Sequence, residues 1–435
     1  MFLLNRNNTY IGREVRAGLA TFATMAYIIV VNPQILGAAG MPADGVMVAT
    51  CLAAALGCFL MGALANYPFA LAPGMGMNTF FTYTVVLGMG LSWQGALAAV
   101  FISGVFFFVL TLLRVREAIV DAIPATLKAA ISVGIGLFIA LVGLKSAGLI
   151  VFNPGTGSLG LVTAELLPAG TSPESVYLSL FGLALTGTLV VRKVTGALLW
   201  GILGSFLAAI PLGLVQVDEL AFVALPSGLG KTFMALDFEV LFDYGLLTVI
   251  FTFTFVDLFD TVGTLVGVSS KAGMLDEQGR LPRATRAFLA DSLATIAGAT
   301  LGTSTTTSYI ESAAGVAEGG RTGLTAVTTG VLFLLALFFF PLVSQIPPAA
   351  TAPVLVIVGI FLMEPVSRIK FGDYLEAIPA FFTIALTPLA FSIAEGIVAG
   401  ILSYTFLRAV SGRWREVGLA LWILSGLFIL RFFLV

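Results

Sequence analysis

The sequence predicts an all-α polytopic membrane protein of about 14 transmembrane segments, arranged as two inverted seven-span repeats. Three observations predict it: the composition, the placement of basic residues, and two apolar runs broken at matching positions. Apolar residues make up 59% of the 435 residues and charged residues 10%, where a soluble domain carries about 25% charged. Mean hydropathy is +1.06. So few charges cannot cover a soluble surface of this size. Membrane-crossing helices of roughly 20 residues leave room for about 12–15 spans and no large soluble domain.

The apolar runs of the first half lie near 17–37, 45–65, 68–88, 93–113, 126–150, 175–191 and 195–215. Those of the second lie near 244–268, 286–301, 302–318, 322–344, 351–366, 376–391 and 394–410. A last apolar stretch, 417–435, reads as an extra span or an interfacial helix. Hydropathy alone makes 302–318, rich in Thr, Ser and Gly, a loop. Charge placement says otherwise, because Lys and Arg concentrate in cytoplasmic loops. With the N-terminus inside and both 68–88 and 302–318 counted as crossings, 18 of the 21 basic residues fall on the cytoplasmic side. Only Lys145, Lys231 and Arg431 fall elsewhere. Without the 302–318 crossing, the basic loops after it would invert. A polar, irregular stretch at membrane depth survives only when buried in protein or lining a cavity.

The two broken runs occupy the third span of each half. Tyr67–Tyr83 is interrupted by Pro73, Gly74 and Gly76, and Gly302–Glu318 by its Thr/Ser run. The second half begins seven spans after the first, an odd number, and so inserts upside down. Inverted repeats with matching broken helices mark secondary transporters, whose site is expected between the broken helices near the midplane.

Composition also excludes. The chain has no histidine, which removes His-based zinc sites, haem ligation and His proton relays. Cys51 and Cys58, seven apart on one helix face, suit core packing and form no disulfide framework. A net charge of −2 without a basic tract suggests no nucleic-acid partner. The polar stretch Met1–Tyr10 does not resemble a cleavable signal peptide. No metal ligand set or cofactor motif is visible. Gly74-Met-Gly76 lacks the strand, Lys and glycine pattern of a phosphate loop.

Intramembrane carboxylates are costly and usually functional. In the eighth span, Asp257, Asp260 and Thr264 fall within a face roughly 100° wide. Gly263 and Gly267 allow a neighbouring backbone to approach. Asp260 is the candidate for ligand or proton binding, and Asp257 for a structural hydrogen bond to a broken helix end. Glu311 follows the Thr/Ser run near the start of a half-helix, where exposed N–H groups favour an acceptor. It is either a cap or a two-oxygen acceptor for a ligand with adjacent N–H donors. Asn78, at the equivalent place in the third span, is either a cap or a ligand contact. Phe80, Phe81, Tyr83 and Tyr309 either flank a flat ring or pack in the core. Asp291, Glu318 and Glu395 sit near predicted span ends and read as solvated or salt-bridged.

Three stretches carry a resemblance: Phe255–Leu265 (Phe-Val-Asp-Leu-Phe-Asp-Thr-Val-Gly-Thr-Leu), the Gly302–Arg321 run, and Ala72–Phe81 (Ala-Pro-Gly-Met-Gly-Met-Asn-Thr-Phe-Phe). With Asn32-Pro33 in the first span, they resemble the AzgA-like purine permeases of the nucleobase–cation symporter-2 group. The resemblance covers nearly the whole chain. It implies short strands in spans 3 and 10 flanking the site. It implies a core domain over 1–118 and 241–345, and a gate domain over 119–240 and 346–435 that includes the C-terminal apolar helix. It implies a plasma-membrane protein, not an enzyme, that takes up hypoxanthine, guanine or adenine with protons by alternating access. A homodimer through the gate domain would suit it. Carried over by position, the acids of spans 8 and 10 are Asp260 and Glu311 and the polar residue of span 3 is Asn78; with Thr264 and Tyr309, read from the residues themselves, these are the candidate substrate contacts, and Asp260 and Glu311 the candidate proton couplers. Asp257, Gly74, Gly76, Thr303 and Ser304 support the site.

The chemistry of the residues agrees. A purine is planar with N–H donors on its edge, and a carboxylate can accept two of them. A second, partly desolvated carboxylate can take a proton on one side and lose it on the other. The main rival is a sulfate-permease-like anion carrier on the same plan, which Glu311 would repel. An intramembrane aspartyl protease needs its two Asp residues on facing helices, whereas Asp257 and Asp260 share one. No ring of charge suggests a channel.

Overall fold

The computed structural model describes residues 2, 4–113, 124–153, 158–162, 172–215, 223–239, 244–274 and 281–434. Arg114, Arg116 and Arg280, counted among the topology charges, lie outside them. The first half runs α1 (Ile11–Met25), α2 (Ile28–Ala38), α3 (Ala43–Leu60), β1 (Leu71–Pro73), α4 (Met75–Thr79), α5 (Trp93–Leu112) and α6 (Ala125–Ser146). Strands β2 (Ile150–Asn153) and β3 (Ser158–Leu161) and helices α7 (Pro173–Val191) and α8 (Ala197–Ala209) follow. The second half runs α9 (Tyr244–Lys271), α10 (Ala284–Leu301), β4 (Thr306–Ser308), α11 (Ser312–Ala317), α12 (Gly323–Ala336) and α13 (Phe340–Ser344). It ends with α14 (Pro348–Leu362), α15 (Tyr374–Leu389), α16 (Ile393–Val410) and α17 (Leu419–Leu434).

Among the described residues, 8 helical segments are long and apolar enough to cross a bilayer. The shorter α8 and α15, the 28-residue α9, the 18-residue α10 and the two broken segments bring the crossings to the expected number. The strands expected in spans 3 and 10 are present. The β2–β3 pair, antiparallel with Ile150 opposite Leu161, is an addition that no sequence signal indicated. Helix α17 has 16 residues, about 24 Å of rise, short of a hydrocarbon core of about 30 Å. Its Ser425 hydroxyl donates to Thr405 Oγ1 of α16 at 2.9 Å.

The chain forms two compact units. One holds Met1–Leu112 and Gly143–Val354, the other Leu113–Val142 and Leu355–Val435. In the first, α3 packs on α10 and α12, α5 on α10 and α9, and α1 on α12 and α11. Small residues let these helices close. A Cβ on Gly62 would stand 2.7 Å from the Gly323 carbonyl oxygen, so the backbones meet there as at small-residue crossings in membranes. In the second unit, α15 and α16 pack along their length. Arg408 joins them, donating to Glu376 Oε1 at 2.5 Å and to Glu416. Tyr404 lies under the same guanidinium, 5.1 Å from its ring centroid.

The broken spans follow from local chemistry. Helix α10 stops at Gly302, whose φ of +100° glycine adopts readily, and the Gly302 and Thr303 N–H groups close onto Gly298 O. The β-branched Thr305-Thr-Thr run then extends. Strands β1 and β4 pair antiparallel, with Leu71 opposite Ser308 and Pro73 opposite Thr306. Beyond the strands, Gly74 N donates to Thr305 O at 2.9 Å and Tyr309 N to Ala70 O at 3.0 Å. The Thr295 hydroxyl covers Thr306 O and the Ser312 hydroxyl accepts from Ala70 N. Irregular backbone at this depth is thereby supplied with partners from within the protein. Cys51 and Cys58 are buried and free. Cys58 also lies against β1, its sulfur 3.4 Å from Leu71 N.

One buried carboxylate fixes the frame. Glu14, fully buried on α1, accepts from Arg321 N at 3.0 Å, Thr322 N at 3.2 Å and the Thr325 hydroxyl at 2.6 Å. It caps α12 from another helix, while Arg321 Nη1 covers Val316 O and Gly320 O at the end of α11. Glu14→Gln puts an amide donor among these donors, and a buried group left unsatisfied costs about 1–3 kcal/mol. The expected result is a lower melting temperature for the purified protein. An unchanged melting curve contradicts the capping role.

Candidate functional site

The candidate site residues gather around β1 and β4, within the first unit. Glu311 sits at the turn that opens α11, where the chain leaves β4. Its Oε1 accepts from the Tyr27 hydroxyl at 2.8 Å, and its backbone carbonyl lies 3.4 Å from the Thr24 hydroxyl. Tyr309 turns back and donates its hydroxyl to Pro73 O at 2.5 Å, clasping β1 to the end of β4.

Across the strands lies α9. Asp260 is partly buried, and its Oδ2 stands 3.8 Å from where a Cβ on Gly74 would lie. That same Cβ would meet Thr307 Cγ2 at 2.7 Å. Glycine is therefore what lets the third span pass close to β4 beside this acid. Thr261 links α9 to its neighbours. Its hydroxyl donates to Asp291 Oδ2 at 2.9 Å and lies 2.8 Å from the Thr307 hydroxyl.

Asn78 is fully buried on α4, and neither its Oδ1 nor its Nδ2 has a protein partner. An open amide at the junction of two broken spans is the strongest local sign of a place for a ligand or water. Thr264 is buried one turn beyond Asp260 on α9, and Asp257 is buried one turn before it. Gly76 lies in the first turn of α4. The Thr303 hydroxyl accepts from Asn32 Nδ2 at 2.9 Å, and the same amide donates to Thr50 at 2.7 Å. Asn32 thus ties the first span to the second and to the start of the Thr/Ser run. Ser304 is buried, with its hydroxyl unpartnered. Phe80 and Phe81 are fully buried and pack on Phe253, with ring centroids 5.0 and 6.5 Å away.

Asp291 corrects the sequence reading. It is neither at a span end nor solvated, but fully buried on α10 beneath Thr261 and Ser308, whose hydroxyl lies 3.4 Å from its Oδ1. Sequence reasoning also missed Tyr27 and Glu14. The signal for Asp291 was its distance from the Arg283 and Arg286 pair, more than a helical turn into the span.

Comparison with known proteins bears on this geometry. A model of the Permease family, Xan_ur_permease, matches residues 12–399. The chain belongs to this permease family. A putative permease of Methanocaldococcus jannaschii, MJ0326, is 50% identical over 99% of this chain and 97% of its own. The guanine/hypoxanthine permease PbuG of Bacillus subtilis is 44% identical over 99% and 98%. The adenine permease AdeQ of Escherichia coli is 42% identical over 100% and 96%. Among solved structures, the transmembrane domain of the cyanobacterial bicarbonate transporter BicA superposes with a TM-score of 0.66 at 16% identity, covering 89% of this permease and 97% of that chain. SLC26A9 does so with a TM-score of 0.67 at 10% identity, covering 93% and 66%. At such identities the permease shares a fold with these carriers. It is a multi-pass membrane transporter and not an enzyme.

Proposed function

We propose that this permease takes up purine nucleobases, hypoxanthine, guanine or adenine, together with protons, by alternating access. The observation that supports the reading is that Glu311, at the opening of α11, and Asp260, beside Gly74, flank the paired strands, with the buried, unpartnered amide of Asn78 one helical turn beyond Gly74. A purine edge offers N–H donors to a carboxylate and ring nitrogens or carbonyls to an amide. Glu311 receives the donors, Asn78 the mixed edge, and Thr264 and Tyr309 border the ring. The names of PbuG and AdeQ support this substrate class. The fold alone would equally suit an anion carrier, but Glu311 at the start of α11 would repel an anion. The deciding experiment is competition of radiolabelled hypoxanthine uptake by purines, pyrimidines and sulfate. Competition by sulfate and none by purines rejects the reading.

In this proposal Asp260 and Glu311 carry the coupling proton, since the chain has no histidine. Residues 1–118 and 241–345 form the core that holds substrate, and 119–240 and 346–435 the gate. The N-terminus lies in the cytoplasm, the protein resides in the plasma membrane, and a homodimer forms through the gate. In proteoliposomes, an inward proton gradient is expected to drive accumulation at fixed sodium. Accumulation driven by sodium alone at constant pH contradicts proton coupling.

A further inference from the structure

Tyr27 occupies the break between α1 and α2, and only 1% of its surface is exposed. A lone tyrosine in an apolar span ordinarily packs. This one aims its hydroxyl at the carboxylate assigned above to substrate, 2.8 Å from Glu311 Oε1. The bond is held from several sides. Thr24, one turn earlier, reaches the Glu311 carbonyl. A Cβ on Gly315 of α11 would stand 2.6 Å from Ala17 O of α1, so the two helices are in close contact between the tyrosine and the Glu14 cap. At the far end Glu14 binds the turn after α11. Tyr27 therefore has little freedom to swing away from Glu311.

The chemistry of that bond bears on which ligands gain most from Glu311. A carboxylate accepts most strongly from two adjacent donors when both oxygens are open to them. Here Oε1 already receives a phenol. A ligand's second donor must share Oε1 with that phenol, which weakens the bond it can make, whereas a single donor can use Oε2. We infer that Tyr27 is a specificity-determining residue, which evens the affinities for ligands presenting one N–H and ligands presenting two adjacent N–H groups. The inference rests on the purine reading. Within that class, hypoxanthine presents an isolated N1–H, and guanine adds the amino group beside it.

The test compares equilibrium binding of radiolabelled guanine and hypoxanthine to purified wild type, Tyr27→Phe, Glu311→Gln and the double variant. Phenylalanine keeps the ring and removes only the hydroxyl. The expected result is a shift of the guanine-to-hypoxanthine affinity ratio toward guanine by about tenfold in Tyr27→Phe. In the Glu311→Gln background the same substitution is expected to leave the ratio within about twofold, because the coupling runs through the carboxylate. An equal loss for both bases, or a ratio shift that persists without the carboxylate, assigns Tyr27 to packing and overturns the inference. Wild-type protein that binds neither base overturns it too. Adenine binding in that assay leaves the purine reading standing, and no purine binding at all rejects both.

Discussion

Glu311→Gln is expected to weaken purine binding by about 10–150-fold while the protein still folds. The variant keeps the size and one acceptor oxygen, so the Tyr27 hydroxyl retains a partner on that side. The second oxygen becomes an NH2 group, which faces ligand donors with donors. Losing a charge-assisted hydrogen bond of this kind costs roughly 1.5–3 kcal/mol, which converts to the stated range. The turn that opens α11 is fixed by backbone bonds from Ser312 N to Tyr309 O and from Ala314 N to Glu311 O, neither of which involves the side chain. Calorimetry on the purified variant, with its melting curve as the control for folding, checks the effect. Unchanged affinity removes Glu311 from the ligand's contacts.

The second large effect separates two aspartates one helical turn apart. Asp260→Asn is expected to reach the membrane in normal amounts and to lose concentrative uptake completely, because an amide cannot cycle a proton. Asp257→Asn is expected to lower abundance and melting temperature, with residual transport in the protein that remains. The difference in setting supports the division: Asp257 is 2% exposed, whereas Asp260 is only partly buried and borders Gly74 in the broken third span. Membrane abundance, melting temperature and uptake across a pH gradient, measured for both variants, decide it. If Asp260→Asn still accumulates purine while Asp257→Asn is stable and inactive, the two roles are reversed.

The parts of this site that were legible in the sequence are those that violate membrane composition. Pro73, Gly74 and the Thr305-Thr-Thr run cannot belong to lipid-facing helices, so two broken spans with a site between them were expected from the cost of unpaired backbone in a bilayer, while their strands followed only from the family resemblance. Asp260 and Glu311 stood out for the same reason. Tyr27 did not, because a single tyrosine among apolar residues reads as ordinary packing, and its partner lies 284 residues away. Glu14 was hidden by Arg13 and Arg16, which give the entry of the first span an ordinary charged look. Asp291 was misplaced because its depth depends on where α10 begins and on what covers it. The hydroxyls of Thr261 and Ser308 that cover it come from another helix and a strand. The β2–β3 pair left no trace because its residues alternate too briefly to separate from the end of an apolar span.

The clasp between the two broken spans also constrains how the protein is made. Pro73 and its partner Tyr309 are 236 residues apart. At about 5–20 residues per second, a ribosome needs roughly 10–50 s to deliver the second after the first. During that interval the third span is already synthesised but lacks the strand that pairs its backbone, and a bilayer supplies no substitute donors or acceptors. The nascent segment must wait beside earlier helices, in the insertion machinery or at the interface. Cys58, whose sulfur touches Leu71 N in the finished fold, belongs to a helix available from the start. Pairing of the third span's backbone therefore cannot precede synthesis of Thr306, and a ribosome stalled before that residue is expected to leave the span accessible to water-soluble thiol reagents at an engineered cysteine.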